Sequence, residues 1–199
     1  VKVLEDKDME DLAKFDAIVV GIRAYNTKDN LKFQQARLLE YVQNGGTLVV
    51  QYNTNFELVV DQIAPFPLKI SRTRVTDETA EVRFLLPEHP VLNTPNKLSA
   101  QDFEGWVQER GLYFPSEWDG AFQAPLSAND PGEKPADGSL LVAQYGKGYY
   151  VYTGLSFFRE LPAGVPGAYR LFANLISMGK LFGRFCSEEP SKLRLFPQF

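Results

Sequence analysis

Apolar residues run almost unbroken through Phe15-Asp16-Ala17-Ile18-Val19-Val20-Gly21. So short and uniform a run predicts a strand covered on both faces, as in a parallel sheet. A polar loop follows from Arg23 to Asn30, and its last residues, Asp29 and Asn30, both suit a helix N-cap. Leu31, Leu38, Leu39 and Val42 then recur at helical spacing, and Gly45-Gly46 stops the helix. Thr47-Leu48-Val49-Val50-Gln51-Tyr52 predicts a second buried strand. Strand, helix, Gly-Gly and strand form a βαβ unit, whose crossover is right-handed.

Upstream, Val1-Lys2-Val3-Leu4 predicts a strand and Asp8 to Lys14 a short helix. The stretch from about 63 to 137 is rich in proline, with short strand-like pieces at Ala80 to Leu85 and Leu112 to Phe114. Within it, Ser99-Ala100-Gln101-Asp102 reads as a capping box opening a short helix, and Asn129 to Gly138 as a surface loop. This stretch is expected to be an elaborated insertion on one domain spanning 1–199, not a second domain. Ser139 to Tyr145 and Tyr149 to Thr153 flank Gly146-Lys147-Gly148, the pattern of a β-hairpin. Pro166 suits a first helical position, and Ala168, Leu171, Phe172, Leu175 and Met178 make one apolar face that Gly179 is expected to close. The tail at 188–199 reads as extended. These elements predict an α/β domain of three layers, with a mixed, flavodoxin-like sheet and an irregular insertion.

Composition narrows the chemistry. With 199 residues the chain can bury a substantial core. It has 21 basic and 25 acidic residues, a balance unlike that of a nucleic-acid surface. No apolar run is long enough to predict a membrane span, and mean hydropathy is −0.23. One cysteine and one histidine exclude a disulfide framework and leave little for a metal site, so neither metal nor cofactor is expected. The chain begins at Val1 without an initiator methionine or signal peptide and reads as a domain trimmed from a longer one.

The catalytic motifs are weak. Gly146-Lys147-Gly148 lacks the spacing of a phosphate loop, and no G-x-G-x-x-G follows the first strand. Gly154-Leu155-Ser156-Phe157-Phe158 carries Phe158 where a nucleophile elbow has its second glycine. His89, between Pro87 and Pro90, is expected to fix its loop, and Cys186 to be a buried structural thiol. What remains are polar groups after the strands, where open α/β sheets bind ligands. They are Arg23, Tyr25 and Asn26 after the first strand, and Gln51, Asn53 and Asn55 at the second. Trp106, Glu109 and Arg110 come from the insertion, and Arg159 and Glu160 follow the last strand. Amides, guanidiniums and an aromatic face suit a polar, sugar-like ligand; the plainer reading of the same groups is a buried network that pins loops, with Arg159 or Arg110 pairing a carboxylate.

The two strand motifs, Glu88-His89-Pro90-Val91-Leu92, Gly148-Tyr149-Tyr150-Val151-Tyr152-Thr153-Gly154-Leu155-Ser156 and Tyr169-Arg170-Leu171-Phe172-Ala173-Asn174 resemble the ThuA-like branch of the class I glutamine amidotransferase-like fold. Gly21-Ile22-Arg23-Ala24-Tyr25-Asn26, Phe103 to Gly111 and Phe158 to Arg170 are similar to the C-terminal region of large bacterial PIG-L (LmbE-like) deacetylases. The resemblance implies an exported bacterial protein, in the periplasm, whose partner is an N-terminal deacetylase domain of the same polypeptide. It also implies a cysteine after a central strand and a histidine after a later one. This chain has Tyr52-Asn53-Thr54-Asn55 and Phe157 there instead, and no His-Pro-Asp-Asp motif, since His89-Pro90 is followed by Val91.

Three functions therefore stand. The first is a non-catalytic accessory domain binding a polar or carbohydrate ligand or packing on the catalytic domain. The second is a sugar-processing enzyme using Glu109 and Glu160 as acid and base. The third is a purely structural interaction module.

Overall fold

The computed structural model describes residues 2–183, the side chains of 180–183 excepted. Val1, Cys186 and the tail at 188–199 lie outside the described residues. In chain order the elements are β1 (Ala17–Val20), α1 (Ala24–Thr27), α2 (Leu31–Gln43), β2 (Thr47–Gln51), β3 (Leu68–Val75), β4 (Arg83–Phe84) and α3 (Pro90–Asn93). They continue with β5 (Gly111–Trp118), β6 (Phe122–Gln123), β7 (Leu126–Ser127), β8 (Leu140–Tyr145), β9 (Gly148–Thr153), α4 (Phe157–Glu160) and α5 (Pro166–Gly183).

The main sheet has five strands in the order β1-β2-β9-β8-β6. β1, β2 and β9 are parallel, whereas β8 and β6 run antiparallel to their neighbours, so the sheet is mixed. Alternation along the central strands sorts side chains between two cores. Leu48 and Val50 of β2, with Tyr150 and Tyr152 of β9, pack on Leu38, Tyr41 and Val42 of α2. Val49, Val151, Leu140 and Val142 face the other way, onto Ala168, Leu171, Leu175 and Met178 of α5. Every β9 residue and the first four of β2 are buried, which is why both read as continuous apolar runs. Each buried aliphatic side chain contributes about 1.5–3 kcal/mol.

The insertion forms two small antiparallel pairs, β3–β5 and β4–β7, and gives β6 to the main sheet. It is tied down from β9, where the Tyr150 hydroxyl donates to the Ile63 carbonyl and that of Tyr152 to the Tyr113 carbonyl, both at 2.9 Å. α5 forms the other seam. Asn174, fully buried, accepts from the Asn96 amide at 2.9 Å and donates to the Val91 carbonyl at 2.9 Å, while Arg170 pairs with Asp102 at 2.7 Å.

The βαβ unit, the hairpin, the capping box at Ser99 and Pro166 as the first residue of α5 all form as the pattern predicts. Five expectations are corrected. Residues 2–4 are not a strand. The helix expected at Asp8 to Lys14 is two 3-10 turns, Asp6–Glu10 and Leu12–Lys14, because so short a segment cannot offset helix nucleation. Asn30 does not cap α2 with its side chain, which donates to Asp6 at 3.0 Å; the first amides of α2 bond to the preceding turn instead. Gly179 does not end α5, which runs on to Gly183. Its amide donates to Thr47 Oγ1 at 2.8 Å, and a Cβ there would lie 2.6 Å from that oxygen, so the glycine permits helix and strand to approach. Of Ala80 to Leu85, only Arg83 and Phe84 pair as a strand.

Gly167 is the tightest junction between α5 and the insertion, for a Cβ there would stand 1.8 Å from the Asp102 carbonyl oxygen. Gly167→Ala is expected to lower stability by roughly 1–3 kcal/mol through forced backbone displacement. Gly120→Ala, where a Cβ meets nothing within 4 Å, is expected to change it by less than about 0.5 kcal/mol. Urea denaturation of the two variants checks the contrast.

Candidate functional site

The turns after β1 and β2 are bound to each other. Arg23 sits in the left-handed region at φ 53°, which lets its amide donate to the Tyr52 carbonyl at 2.8 Å. Asn53, fully buried, accepts from the Tyr25 amide at 2.9 Å and donates to the Gln51 carbonyl at 2.9 Å. Asn26 accepts from the Thr54 amide at 2.9 Å and donates to the Phe56 carbonyl at 2.8 Å. The Tyr25 hydroxyl donates to Gln35, and burial raises its pKa well above that of a free phenol. Tyr25, Asn26, Asn53 and the Gln51 carbonyl are therefore spent on shaping loops. Arg23 and Asn55 keep exposed side chains.

Beside them lies an aromatic shelf that the hydropathy pattern does not reveal. Tyr52 and Tyr113 stack with ring centres 5.9 Å apart and planes 10° from parallel, and Phe158 tilts against Tyr52 at 5.4 Å. Arg159 extends over Phe158, its guanidinium 4.8 Å from the ring centre, and donates through Nε to Glu109 Oε1 at 2.9 Å. Burial raises the Tyr52 phenol, and the nearby charges of Arg23 and Arg159 oppose that rise. Tyr52 was visible only as the last residue of an apolar run. Tyr113 owes its place to φ 55° within β5.

The other candidates lie deeper. Trp106 is buried, donates Nε1 to the Asp102 carbonyl at 3.0 Å, and packs between Phe103 and Phe157. Arg110 donates Nε to the Ala80 carbonyl at 2.9 Å and Nη1 to the Phe103 carbonyl, with its guanidinium 5.7 Å from the centre of the Trp106 ring. These two residues line a separate cleft of about 480 Å³ whose rim carries Glu78, Glu81 and Glu104. Glu160 is fully buried; its Oε2 accepts from the Val107 amide at 3.0 Å and its Oε1 lies 3.1 Å from Ser156 Oγ. Trp106, Arg110 and Glu160 thus stand behind the strand-end surface and do not line it.

The turn after β2 carries Tyr52-Asn53, and Ser156 has its hydroxyl directed at backbone carbonyls, 2.6 Å from that of Glu109. His89 accepts from the Val91 amide at 3.1 Å, capping α3, and its Nε2 lies 2.9 Å from Gln123 Oε1. Burial lowers its pKa, so the ring is neutral and holds its loop. Among the described residues, no group of three or more His, Cys, Asp and Glu is placed to hold a metal ion. No helix there is long and apolar enough to cross a membrane.

Neither a family sequence profile nor a curated protein sequence matches the chain. Solved structures do share its fold. A cytoplasmic protein of Salmonella typhimurium, STM3548, superposes with a TM-score of 0.60 at 16% identity, over 88% of this chain and 76% of that one. A second cytoplasmic protein, STM1381 of Salmonella typhimurium LT2, gives 0.54 at 14% identity over 84% and 73%. The cold-adapted beta-galactosidase of Rahnella sp. R3 gives 0.52 at 18% identity; the match covers 86% of this chain but only 24% of that enzyme. At these identities the likeness concerns the fold alone: a mixed α/β domain.

Glu160 offers a test of the buried network. Burial raises its pKa above the ordinary 4.5, against the pull of the Val107 amide, Ser156, Arg110 and Arg159. A hydroxyl carries a single hydrogen, which Ser156 shares between the nearer Glu109 carbonyl and Glu160, so its hold on the carboxylate is weak. The folded state therefore binds a proton on Glu160 more tightly than the unfolded chain does. That stabilisation is complete below pH 4.5 and is lost as pH rises through the folded value. Glu160→Gln is expected to melt near the parent temperature at about pH 4 and above it at about pH 8. Glu160→Ala, leaving the Val107 amide unpaired, is expected to cost roughly 1–3 kcal/mol at both. Thermal melts across this range, each variant against its parent, check the sign.

Proposed function

We propose that this chain is a non-catalytic, flavodoxin-like domain of the amidotransferase-like class, with α2 and α5 as the layers on either side of its sheet. It serves as an accessory to a PIG-L type deacetylase and binds a polar or carbohydrate ligand at the carboxyl ends of its parallel strands. The observation that carries this reading is the disposition of the polar groups. The turn after β2 holds an asparagine committed to loop contacts, while Arg23 and Asn55 stay exposed and Arg159 lies over Phe158 in an aromatic shelf. An aromatic face with a few directed polar groups is the usual make-up of a sugar site.

The acid–base alternative gains nothing from the geometry. Glu109 is engaged by Arg159, and Glu160 is enclosed with both oxygens occupied, so neither carboxyl is offered to a substrate. The partner deacetylase domain rests on the sequence resemblance alone.

Two measurements test the proposal on the 199-residue chain. Incubation with glutamine is expected to release no ammonia. Titration with glucose, followed by NMR, is expected to give saturable shifts at Arg23, Tyr52, Asn55, Tyr113 and Phe158. Ammonia release, or the absence of any saturable shift with sugars, overturns the reading.

A further inference from the structure

We infer that His89 is an acid-sensitive latch between α3 and β6: its neutral ring clamps the two elements together, and a proton on the ring lets them part.

The ring joins two separate segments. Nδ1 accepts from the Val91 amide at 3.1 Å, and Nε2 lies 2.9 Å from Gln123 Oε1. A backbone amide only donates, so Nδ1 holds a lone pair and the ring hydrogen sits on Nε2, donating to Gln123. One tautomer of the neutral ring thus satisfies both contacts. The imidazolium satisfies only one. A hydrogen on Nδ1 sets two N–H groups against each other and orphans the amide of Val91, a fully buried residue.

Both elements lean on this ring. α3 is a single turn starting at Pro90, which has no amide hydrogen, so Val91 is its first donor and His89 its cap. So short a helix does not hold itself. β6 has two residues and is the outermost strand of the main sheet, paired with β8 through Phe122 and Gln123. Behind α3, the Val91 carbonyl and the Asn96 amide stay bound to Asn174. Release is therefore confined to the start of α3 and to β6.

Among the described residues no carboxylate is paired with the ring. α3 and β6 carry no ionisable side chain, and β8 brings only Tyr145. Glu88 and Lys97, on either side of α3, are exposed. Asp119, before β6, accepts from the Ala121 amide at 2.8 Å. Arg83 of β4 donates to Ser127 and Asn129, and Arg170 of α5 pairs with Asp102. Burial accordingly lowers the pKa of the ring below its ordinary 6.5, and the Gln123 contact opposes that fall. The closed state binds the proton less tightly than the open one. The latch is fully held above pH 6.5 and is lost as pH falls through the lowered value.

As the one histidine of the chain, the ring can be followed singly by NMR while the 199-residue protein is titrated from about pH 8 to about pH 4.5. At the alkaline end the nitrogen shifts are expected to place the hydrogen on Nε2. Hydrogen-exchange protection of the Val91 amide is expected to fall about tenfold or more, with the midpoint of the ring. Gln123→Glu, at an exposed position, sets a carboxylate against Nε2; it is expected to raise that midpoint by about one unit and to carry the loss of Val91 protection with it. His89→Asn, which can cap a helix but does not titrate in this range, is expected to leave Val91 protected throughout. Protection that persists while the ring protonates overturns the latch. So does a midpoint of opening that stays put when Gln123→Glu moves the ring, or a parent ring that titrates at or above 6.5. Opening of the His89→Asn protein at the parent midpoint overturns it too. Should that variant not fold, Gln123→Glu decides alone.

Discussion

Strand β9 holds this molecule together. It pairs in parallel with β2 from Thr47↔Tyr149 to Gln51↔Thr153 and antiparallel with β8 along its other edge. All six of its residues are buried. Its first residue, Gly148, lies so close to the Val42 and Gly46 carbonyl oxygens that a Cβ would stand 2.2 Å from each. Its tyrosines pass right through the core to hold Ile63 and Tyr113 with their hydroxyls. Until β9 is seated, the first βαβ unit has an open parallel edge and the insertion has nothing to close upon. Joining strands so far apart in sequence carries a loop-closure cost, which this concentration of apolar burial and buried hydrogen bonds offsets.

The same strand delivers the site. Where β9 ends, Leu112 donates to the Gly154 carbonyl at 2.9 Å, drawing β5 and its Tyr113 alongside the end of β2. The chain then turns through Ser156 into α4, which places Phe158 and Arg159 beside Tyr52. Backbone in the left-handed region recurs around this end of the sheet, at Arg23, Glu57, Gln108 and Tyr113. Such conformations cost on the order of 1 kcal/mol or more each and persist where the surroundings impose them. Here they are imposed by the convergence of four separate segments on one short strand end.

The polar residues at this end divide by burial. Asn53, Asn26 and Glu160 satisfy backbone amides that would otherwise be orphaned in irregular segments, an obligation that buried loops place on nearby side chains. Arg110 does the same for the Ala80 and Phe103 carbonyls. Arg159 is left over the Phe158 ring and Arg23 stays exposed. The difference between scaffold and surface is thus made by which backbone groups need partners, and residue type alone does not announce it.

Local pattern determined a good part of the molecule. The apolar runs at 15–21 and 47–52, the spacing of Leu31, Leu38 and Val42, the glycine turn at 146–148 and Pro166 each specify an element through interactions within a few residues. The end of α5 and the silent side chain of Asn30 were decided by partners distant in sequence, Thr47 and Asp6. So was the site. Arg23 and Arg159 could be named from their positions after strands, but Tyr52, Tyr113 and Phe158 could not. Their meeting depends on strand register, on positive φ at Tyr113 and on the bridge from Gly111 to Leu155. Short-range chemistry is written in neighbouring residues; an aromatic shelf assembled from three separate segments exists only once the sheet has brought them together.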